Sequence, residues 1–541
     1  MRPNELGAER TVQRRGLRSI SKSLGFAVCG LCLTAGGHGL AHPPADIHLE
    51  YLGTYQPPDV AFNEGVSEIV AYDPDRAEVY VVNAHATRLE VISIDDPTHP
   101  VSAGLIDVST FGASANSVAV RDGLVAVAVE APVKQDPGVV VLMDTEGNFL
   151  SSLPVGALPD NVVISPNGRW VLAACEGEPS DDYTRDPEGS IAVIDVGCSP
   201  EHATVRMADF HAWNALPLPA SVRVFGPGAN ASRDFEPEYI TVSADSRWAW
   251  ATLQENNAIA KIDIFNGRIA GVYGLGFKDH SLAANALDAS DKDNAINIRN
   301  WPVKGMYLPD SIGSFRSSTG TTYLVMANEG DSRAYTAFNE ETRVGSVALD
   351  PTRFPDAANL KAAANLGRLK ITNTLGDSDG DGDYDELYAF GARSISIRTT
   401  SGALVWDSGS QIEQTVATAL PGSFNANWES NKVDDRSDDK GPEAEGIAVG
   451  RAHGRQLVFV GLERVGGIVT FDATNPSHPV LVDYINHRDF TKDPLLDLTT
   501  VGDLAPEGLA FVPEDESPIC DPILIVGNEV SGTTTVYAVR R

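Results

Sequence analysis

The stretch that decides the fold runs from Glu236 to Ile264 and reads Glu-Pro-Glu-Tyr-Ile-Thr-Val-Ser-Ala-Asp-Ser-Arg-Trp-Ala-Trp-Ala-Thr-Leu-Gln-Glu-Asn-Asn-Ala-Ile-Ala-Lys-Ile-Asp-Ile. Residues 244–247 are typical of a turn, and the apolar residues on either side alternate with other residues. The pattern predicts three short strands, at 239–242, 248–253 and 258–264. A sheet this small cannot bury its own faces, so it needs neighbours of the same kind.

The same pattern recurs along the chain. Seven copies begin at an acidic or amide residue, namely Glu68, Asn116, Asp160, Glu236, Asp310, Glu443 and Glu507. Small repeated sheets bury their faces by packing radially, and a closed ring of them leaves no long open edge. The sequence therefore predicts an all-β protein, a seven-bladed β-propeller of the WD40 or YVTN type with loop insertions. A β-helix or a β-sandwich is the alternative.

The first strand-like segment has no repeat of its own. Residues 47–52 alternate, and in a closed propeller they would complete the sheet of the last repeat, beside residues 533–539. We therefore expect residues 42–541 to form a single propeller domain. Its longest insertion, at about 334–385, includes a short helix near 357–365.

Residues 1–41 have the features of an export signal. Arg14 and Arg15 precede an apolar run at 24–33, and small residues at 39–41 offer a cleavage site. The paired arginines indicate the twin-arginine route, although a basic Sec signal has similar features. The apolar run is too short to span a membrane. We expect an exported protein, periplasmic or extracellular, without a transmembrane segment.

The chain is strongly acidic, with 41 Lys and Arg, 74 Asp and Glu, and a formal net charge of −33. This excess disfavours nucleic acid and anionic membranes as partners and favours cations. The hydrophobic fraction of 42% indicates a folded protein and not a disordered acidic tail. We expect a monomer.

The most specific local motif is Asp377-Ser-Asp-Gly-Asp-Gly-Asp-Tyr-Asp-Glu386. Its carboxylates recur at every second residue, and Gly382 stands where an EF-type calcium loop turns sharply. Tyr388 replaces the bidentate Glu of such loops, so Asp385 or Glu386 would complete the coordination. The sequence predicts a Ca²⁺ site with the ligands Asp377, Asp379, Asp381, Asp383 and Asp385. A solvated acidic turn is the alternative.

Two sets of acidic residues occupy equivalent places in successive repeats. The first set, at or just before the innermost strand, is Glu68, Asp160, Glu236 or Glu238, Asp310, Glu443 or Glu445, and Glu507. The second set, just after the next strand, is Glu130, Glu176, Glu255, Glu329, Glu463 and Glu529. If both converge on the axial channel, crowding would raise some of their pKa values or require metal ions. The alternative is that each acid caps its own turn or pairs with a neighbour such as Arg464.

These acids and the basic residues near them predict metal-dependent chemistry. The predicted metal ligands in the channel are Glu236, Glu443 and Glu507, which would bind calcium and a second metal of unknown identity. The predicted catalytic residues are Glu329, Arg333, Glu463 and Arg464. Metal ions beside arginine are the usual equipment for holding a phosphate ester while water attacks phosphorus. Glycine and serine motifs of serine hydrolases and nicotinamide enzymes are absent from the sequence.

Several longer motifs resemble those of the choice-of-anchor I family. They include Asp234-Phe-Glu-Pro-Glu-Tyr-Ile240, Leu253-Gln-Glu-Asn-Asn-Ala258, Ala327-Asn-Glu-Gly-Asp331, Gly441-Pro-Glu-Ala-Glu-Gly446 and Gly461-Leu-Glu-Arg-Val-Gly-Gly467. The resemblance covers nearly all of the chain after residue 41. Members of that family are bacterial surface or exported propellers related to mesenchyme-specific cell-surface glycoproteins of biomineralising animals, and some carry an alkaline phosphatase label. The resemblance implies an exported propeller.

Two functions follow as hypotheses. The first is an exported calcium-dependent phosphoesterase of alkaline-phosphatase type, acting on phosphate esters at the channel mouth. The second is a non-enzymatic calcium-binding protein of the cell surface or extracellular matrix, whose acids organise cations and whose loops contact partners such as surface glycans. A glycan or lactone enzyme on the same scaffold is a third hypothesis.

Overall fold

The structure, a computed structural model, describes residues 47–541, so the predicted export signal lies outside the described residues. The first strand is β1 (His48–Tyr55). Three four-stranded antiparallel sheets follow in chain order. They consist of β2 (Val70–Asp73), β3 (Glu78–Asn83), β4 (Arg88–Ser93) and β5 (Val101–Asp107); β6 (Ser114–Arg121), β7 (Leu124–Glu130), β8 (Pro137–Asp144) and β9 (Phe149–Ala157); and β10 (Pro159–Ile164), β11 (Trp170–Cys175), β12 (Ser190–Asp195) and β13 (Thr204–Asp209).

The second half of the chain adds four more four-stranded sheets and one inserted sheet. The fourth sheet is β14 (Pro237–Val242), β15 (Trp248–Leu253), β16 (Ala258–Asp263) and β17 (Arg268–Gly274). The inserted sheet consists of β18 (Phe277–Asp279) and β19 (Lys304–Met306), which precede the fifth sheet, and β22 (Glu341–Arg343), β23 (Lys370–Thr372) and β24 (Tyr388–Ala389), which interrupt it. The fifth sheet is β20 (Ile312–Arg316), β21 (Thr322–Asn328), β25 (Ser394–Thr399) and β26 (Leu404–Asp407). The sixth sheet is β27 (Ala444–Ala452), β28 (Arg455–Leu462), β29 (Ile468–Asp472) and β30 (Val480–Ile485), and the seventh is β31 (Pro506–Val512), β32 (Ile523–Asn528), β33 (Thr533–Arg540) and β1.

The seven four-stranded sheets, here called blades 1 to 7, close into a ring. The first strand of each blade packs against the first strand of the next, and β31 of blade 7 packs against β2 of blade 1. Apolar clusters fill the space between neighbouring blades; the one between blades 1 and 2, for example, includes Tyr80, Val82, Val127 and Val141. Sheets that pack face to face in this way bury both surfaces of every blade. The chain is a β-propeller, as the repeats predict.

The closing strand pairs as the sequence predicts. Strand β1 lies antiparallel to β33, with His48 opposite Arg540 and Tyr55 opposite Thr534. Because β1 comes from the beginning of the described chain and β33 from its end, their hydrogen bonds hold the ring closed. A bulge between Tyr51 and Gly53 interrupts the register.

The insertion is larger than the sequence indicates. Its five-stranded sheet uses residues 277–306 as well as residues 341–389, and only the second segment is expected from the sequence. Trp301, Leu366 and Ile371 form part of its own apolar core. The predicted helix is only one turn, α2 (Ala357–Leu360). Two helices have no counterpart in the sequence prediction: α1 (Ala231–Asp234) and α3 (Gln411–Ala419).

Candidate functional site: the acidic mouth of the channel

In five blades, the acidic or amide residue at the start of the innermost strand lies in a β-bulge. In blade 3, Pro159 pairs with Cys175 and Val162 pairs with Ala173, so the segment that contains Asp160 has one residue more than its partner strand. The corresponding segment with one extra residue contains Glu238 in blade 4, Glu445 in blade 6, Glu507 in blade 7 and Asn116 in blade 2. A bulge turns a side chain out of the regular alternation of a strand. The bulges therefore direct equivalent side chains away from the blade faces.

We call six acids that lie at or just before the first strands of their blades the axial carboxylates: Glu68, Asp160, Glu238, Asp310, Glu445 and Glu507. Burial raises their pKa values, and the charge of Asp160 raises further those of Glu68, Glu238, Asp310 and Glu507. Burial raises the pKa of Asp160 itself to about 7. These residues come from six different blades, and because the first strands of neighbouring blades pack against one another around the ring, residues at the starts of those strands lie toward its centre. Each is half-buried, as expected for a side chain that lines a narrow channel.

The axial carboxylates have no close partners in the protein. Within residues 47–541, none of their side chains has a hydrogen bond or an ion pair, although each is enclosed enough to raise its pKa. One oxygen of Glu238 and one oxygen of Glu445 are buried without a hydrogen-bond partner. An enclosed charge without a partner is expensive, so this arrangement needs either protons or cations.

The sequence leaves two candidate acids for the axial position in blade 4, Glu236 and Glu238, and two in blade 6, Glu443 and Glu445, and the structure distinguishes them. Glu236 and Glu443 lie two residues before the bulge acids, and both are ion-paired. Oε1 of Glu236 lies 2.9 Å from Nη2 of Arg333. Glu443 contacts Arg436 at 2.8 Å, Lys440 at 2.8 Å and Arg464 at 3.1 Å. Burial alone would raise the pKa of Glu443, but these three cations outweigh it and lower that pKa overall. Glu238 and Glu445, and not Glu236 and Glu443, occupy the axial position.

The backbone that precedes the axial carboxylates is strained. Leu158, Leu308, Glu443 and Ala505 each lie two residues before an axial carboxylate and have positive φ angles of 49°, 39°, 55° and 57°. Residues with a side chain rarely adopt this conformation, and its recurrence at a functional site indicates that the surrounding fold imposes it. Sequence reasoning missed this feature because none of these positions is glycine.

A second group of acids lies beside the axial carboxylates and is neutralised by the protein. Carboxylate oxygens of Glu329, Glu443 and Glu463 lie within 4.8 Å of one another. Lys440 contacts Glu329 at 2.5 Å and Arg464 contacts Glu463 at 3.0 Å, in addition to the contacts with Glu443. Three cationic side chains, those of Arg436, Lys440 and Arg464, therefore pair with these three carboxylates, and Arg436 also contacts Asp439 at 3.0 Å. Unlike the axial carboxylates, this group has ion-pair partners within the protein.

The structure brings together three of the four predicted catalytic residues. Glu329, Glu463 and Arg464 all belong to the group around Lys440. Indole Nε1 of Trp428 donates to Glu463 over 3.2 Å, and the amide of Gln254 donates to Glu329 over 2.7 Å. Burial raises the pKa of Glu463 to about 8, and the charge of Glu443 adds to the shift.

Arg333, the fourth predicted catalytic residue, belongs to a different cluster. Its guanidinium contacts Asp234 at 2.5 Å as well as Glu236, and the side chain is only 2% exposed. It also lies 4.6 Å from the ring of Phe225. Arg333 is already paired with two buried carboxylates, so its surroundings are those of a structural ion pair. It does not contact the acids that Arg464 contacts.

A basic cavity opens next to the Lys440 group. Its volume is about 180 Å³, and it is lined by Lys370, Arg436, Lys440 and Arg464 together with acidic residues that include Asp331 and Asp439. Sequence reasoning missed Lys370, which reaches this place because strand β23 of the inserted sheet carries it. A cavity of this size with several N–H donors can accommodate a small anion.

The Asp377 loop gathers most of the predicted calcium ligands. Oxygens of Asp377, Asp379 and Asp385 lie within 4.8 Å of one another, and so do those of Asp350, Asp383 and Asp385. Asp381 belongs to neither group. Glu386 is not available to complete the shell, because it contacts Lys304 at 2.7 Å and accepts a hydrogen bond from Tyr388.

Asp350 is an acid of this loop region that the sequence does not predict. A parallel bridge between Leu349 and Tyr384 brings it beside the loop from a distant part of the insertion. Backbone N–H groups of Gly380 and Gly382 donate to Asp377 and hold the turn. The loop therefore combines carboxylates from two segments of the insertion.

Comparison with known proteins assigns the chain to a family. The family model of the Choice-of-anchor I domain matches residues 68–476, which include six of the seven blades' first strands. This chain belongs to the choice-of-anchor I family. Within residues 47–541, no helix is long and apolar enough to cross a membrane.

Two relatives match parts of this choice-of-anchor I protein. It is 32% identical over 187 residues to Gigasin-3a of Magallana gigas, an alignment that covers 33% of this chain and 66% of the relative. It is 29% identical over 331 residues to the mesenchyme-specific cell surface glycoprotein of Strongylocentrotus purpuratus, covering 52% of this chain and 42% of the relative. The chain thus spans less than two thirds of the length of either relative.

Similar solved structures are distant. The β-propeller domain of Cps50 (Swd1) from Myceliophteria thermophila has a TM-score of 0.43 at 9% identity, covering 91% of this chain and 100% of that one. Streptogramin B lyase has a TM-score of 0.45 at 11% identity, covering 92% and 98%. Hydrazine synthase of Kuenenia stuttgartiensis has a TM-score of 0.45 at 13% identity, covering 90% and 99%.

Proposed function

We propose that this protein is an exported or cell-surface β-propeller that binds divalent cations, calcium above all, at the acidic mouth of its channel. Membership in the choice-of-anchor I family supports the exported location. The observation that carries the proposal is the set of six axial carboxylates, which repel one another and have no hydrogen bond or ion pair among the described residues.

Calcium fits this environment for two reasons. It is a hard cation that accepts several carboxylate oxygens in flexible arrangements, and its charge would relieve the repulsion that raises the pKa values. No three axial carboxylates have ligand atoms within 4.8 Å of one another, so an ion in the channel would keep part of its water shell. The metal role that the sequence assigns to Glu507 is retained, and Glu238 and Glu445 take the place of Glu236 and Glu443.

The Asp377 loop is proposed as a separate calcium site. The two overlapping groups of carboxylates share Asp385 and would repel one another without a cation. Because the loop belongs to the inserted sheet, an ion there would stabilise the insertion and not take part in chemistry at the channel.

Metal analysis after equilibrium dialysis tests both parts. The ion-free protein would be dialysed against calcium, and bound ions counted for the wild type, for Glu238→Gln with Glu445→Gln, and for Asp377→Asn with Asp379→Asn. Each pair of substitutions should remove a different part of the bound calcium. Glu514→Gln, a change at an exposed acid without a hydrogen bond or ion pair among the described residues, is the matched control and should bind as the wild type does.

A phosphoesterase is the second candidate. The observation that favours it is the basic cavity lined by Lys370, Arg436, Lys440 and Arg464, which lies beside Glu463. A phosphate ester could accept hydrogen bonds from Arg436 and Arg464 while a metal ion held by nearby carboxylates supplies a nucleophilic water of lowered pKa. These cations already contact carboxylates, so an ester would have to compete with them. For this reason cation binding is the first candidate.

A further inference from the structure

A second cavity lies between blades 4 and 5, far from the acidic mouth. Its volume is about 370 Å³, and its lining includes Ser243, Trp248 and Lys261 of blade 4 and Arg316 and Thr322 of blade 5. Residues 243–247 connect the end of β14 to the start of β15, whereas Glu238 lies at the beginning of β14. At roughly 3.3 Å per residue, the length of this strand places the cavity on the opposite face of the propeller.

The cations of this cavity are unpaired. Within residues 47–541, neither Lys261 nor Arg316 has an ion pair, whereas every basic side chain that lines the cavity at the mouth contacts a carboxylate. Asp245 is the one acid in the lining, and it accepts hydrogen bonds from its own turn, from Ser243 and the backbone of Arg247. In a chain of net charge −33, an unpaired basic cavity is unusual.

Aromatic and hydroxyl groups complete the cavity. Nζ of Lys261 lies 4.1 Å from the ring of Trp248 and 5.7 Å from the ring of Trp250. Indole Nε1 of Trp250 donates to the carbonyl of Thr400 over 3.0 Å, which fixes that ring, while Trp248 is half-buried and reachable. Thr321 and Thr322 also line the cavity.

Blade 3 has the same Arg-Trp pair in a closed form. There Arg169 contacts Asp195 at 2.9 Å and Trp170 is only 5% exposed. In blade 4 the corresponding Arg247 has no ion pair among the described residues, and Trp248 borders the cavity. The comparison shows that an Arg-Trp pair at this position does not by itself make a site. Blade 4 differs because its cations have no ion pair among the described residues, while Lys261 and Arg247 lie 4.1 Å and 5.3 Å from the ring of Trp248.

We propose that this cavity binds an acidic saccharide. Lys261, held beside the ring of Trp248, and Arg316 would contact a carboxylate or sulfate group, and the threonine hydroxyls would exchange hydrogen bonds with the hydroxyls of the sugar. The proposal does not depend on cation binding at the mouth, because the two sites lie on opposite faces.

The test measures binding of the full chain to three saccharides at 150 mM salt with a chelator present. The probes are oligogalacturonate, which carries carboxylates, a heparin oligosaccharide, which carries sulfates as well, and neutral dextran. The wild type should bind at least one acidic probe and not dextran, and calcium should not be needed. Lys261→Gln with Arg316→Gln should lower the affinity at least tenfold without changing the melting temperature.

The matched control is Arg121→Gln with Arg451→Gln, which removes two exposed arginines from the same face in blades 2 and 6. It should change the affinity less than twofold. An equal loss in both double variants would mean general charge attraction and would overturn the proposal. So would a wild type that binds neither acidic probe, or one from which inorganic sulfate displaces the saccharide at equal concentration.

Discussion

Nζ of Lys440 lies 2.8 Å from Oε1 of Glu443, inside the acidic mouth of the propeller. The same ammonium lies 2.5 Å from Glu329, so one lysine joins acids from blades 5 and 6. With Arg436 and Arg464 it pairs with its acidic neighbours, whereas the axial carboxylates have no ion pair among the described residues. The division between a neutralised group and an uncompensated group is what directs the cation proposal to the axis.

Replacing Lys440 by Met should convert the neutralised group into a metal site. Removing one partner of a buried ion pair typically costs about 3–5 kcal/mol, because the remaining charge is left unpaired. Glu329, Glu443 and Glu463 would then lie within 4.8 Å of one another with one cation fewer. We expect a lower free energy of unfolding in urea without metal, and a larger gain from calcium than in the wild type.

The control is Lys432→Met, which removes an exposed ion pair with Asp435 and should change stability little. If Lys440→Met unfolds at the same urea concentration as the wild type, with and without calcium, Lys440 does not neutralise the acids around it.

The raised pKa values predict how stability depends on pH. Burial raises the pKa of Asp160 to about 7 and that of Glu255 to about 8, whereas free carboxyl groups titrate near pH 4. Between these values the folded state holds protons that the unfolded state has lost, so the free energy of unfolding must fall as pH rises from about 4 to about 8. The ion-free protein is therefore expected to be less stable at pH 8 than at pH 5, as measured by urea unfolding.

Glu238→Gln should separate stability from binding. The substitution replaces an enclosed acid, whose ionised form burial and neighbouring carboxylates disfavour, by a neutral amide, so the ion-free protein should gain stability at alkaline pH, by about 1 kcal/mol, the typical size of a point-mutant effect. The same substitution should weaken calcium binding. A variant that loses both stability and calcium affinity, or changes neither, would contradict the claim that Glu238 has no cationic partner in the ion-free protein.

The loop site can be tested with neighbouring aspartates. Calcium should raise the melting temperature, because binding to the folded state alone stabilises it by about 2.7 kcal/mol at a ligand concentration of about 100 times Kd. Asp379→Asn should reduce the rise that depends on the loop, since its oxygens lie within 4.8 Å of those of Asp377 and Asp385. Asp381→Asn is the matched control and should have a smaller effect. Equal effects of both substitutions would indicate only a diffuse acidic surface.

The phosphoesterase hypothesis makes a separate prediction. Calcium-loaded protein should hydrolyse p-nitrophenyl phosphate at alkaline pH, and Arg464→Ala and Glu463→Gln should each lower kcat/KM, by about 100-fold if the group stabilises the transition state. Arg316→Ala, on the opposite face, should leave the rate unchanged. Absence of turnover by the wild type would exclude this second candidate without affecting cation binding.

The sequence predicts the architecture well because repetition carries the information. The seven copies, the closing role of residues 47–52 and the convergence of recurring acids all follow from equivalent positions. The inserted sheet is harder to predict, because strands of three residues such as β18 and β19 are too short to show a period. Its first segment also comes before the fifth blade, where no motif marks it.

The details of the site depend on contacts that no local pattern contains. The choice between Glu236 and Glu238 follows from a bulge, which changes the direction of a side chain by one position along the strand. The role of Lys440 follows from its distance to Glu329, more than a hundred residues away in the sequence. Arg333 resembles a catalytic arginine in sequence but is buried against Asp234, which only the fold reveals.

Proton release on calcium binding tests the central claim most directly. Burial raises the pKa values of the axial carboxylates, that of Asp160 to about 7, and a bound cation would lower them, so adding calcium to the ion-free wild type at pH 7 should release protons in weakly buffered solution. Glu238→Gln with Glu445→Gln should release clearly fewer, whereas the loop variant Asp377→Asn with Asp379→Asn should release as many as the wild type. Calcium binding without proton release, or equal release from the wild type and the axial variant, would contradict a cation site at the axis.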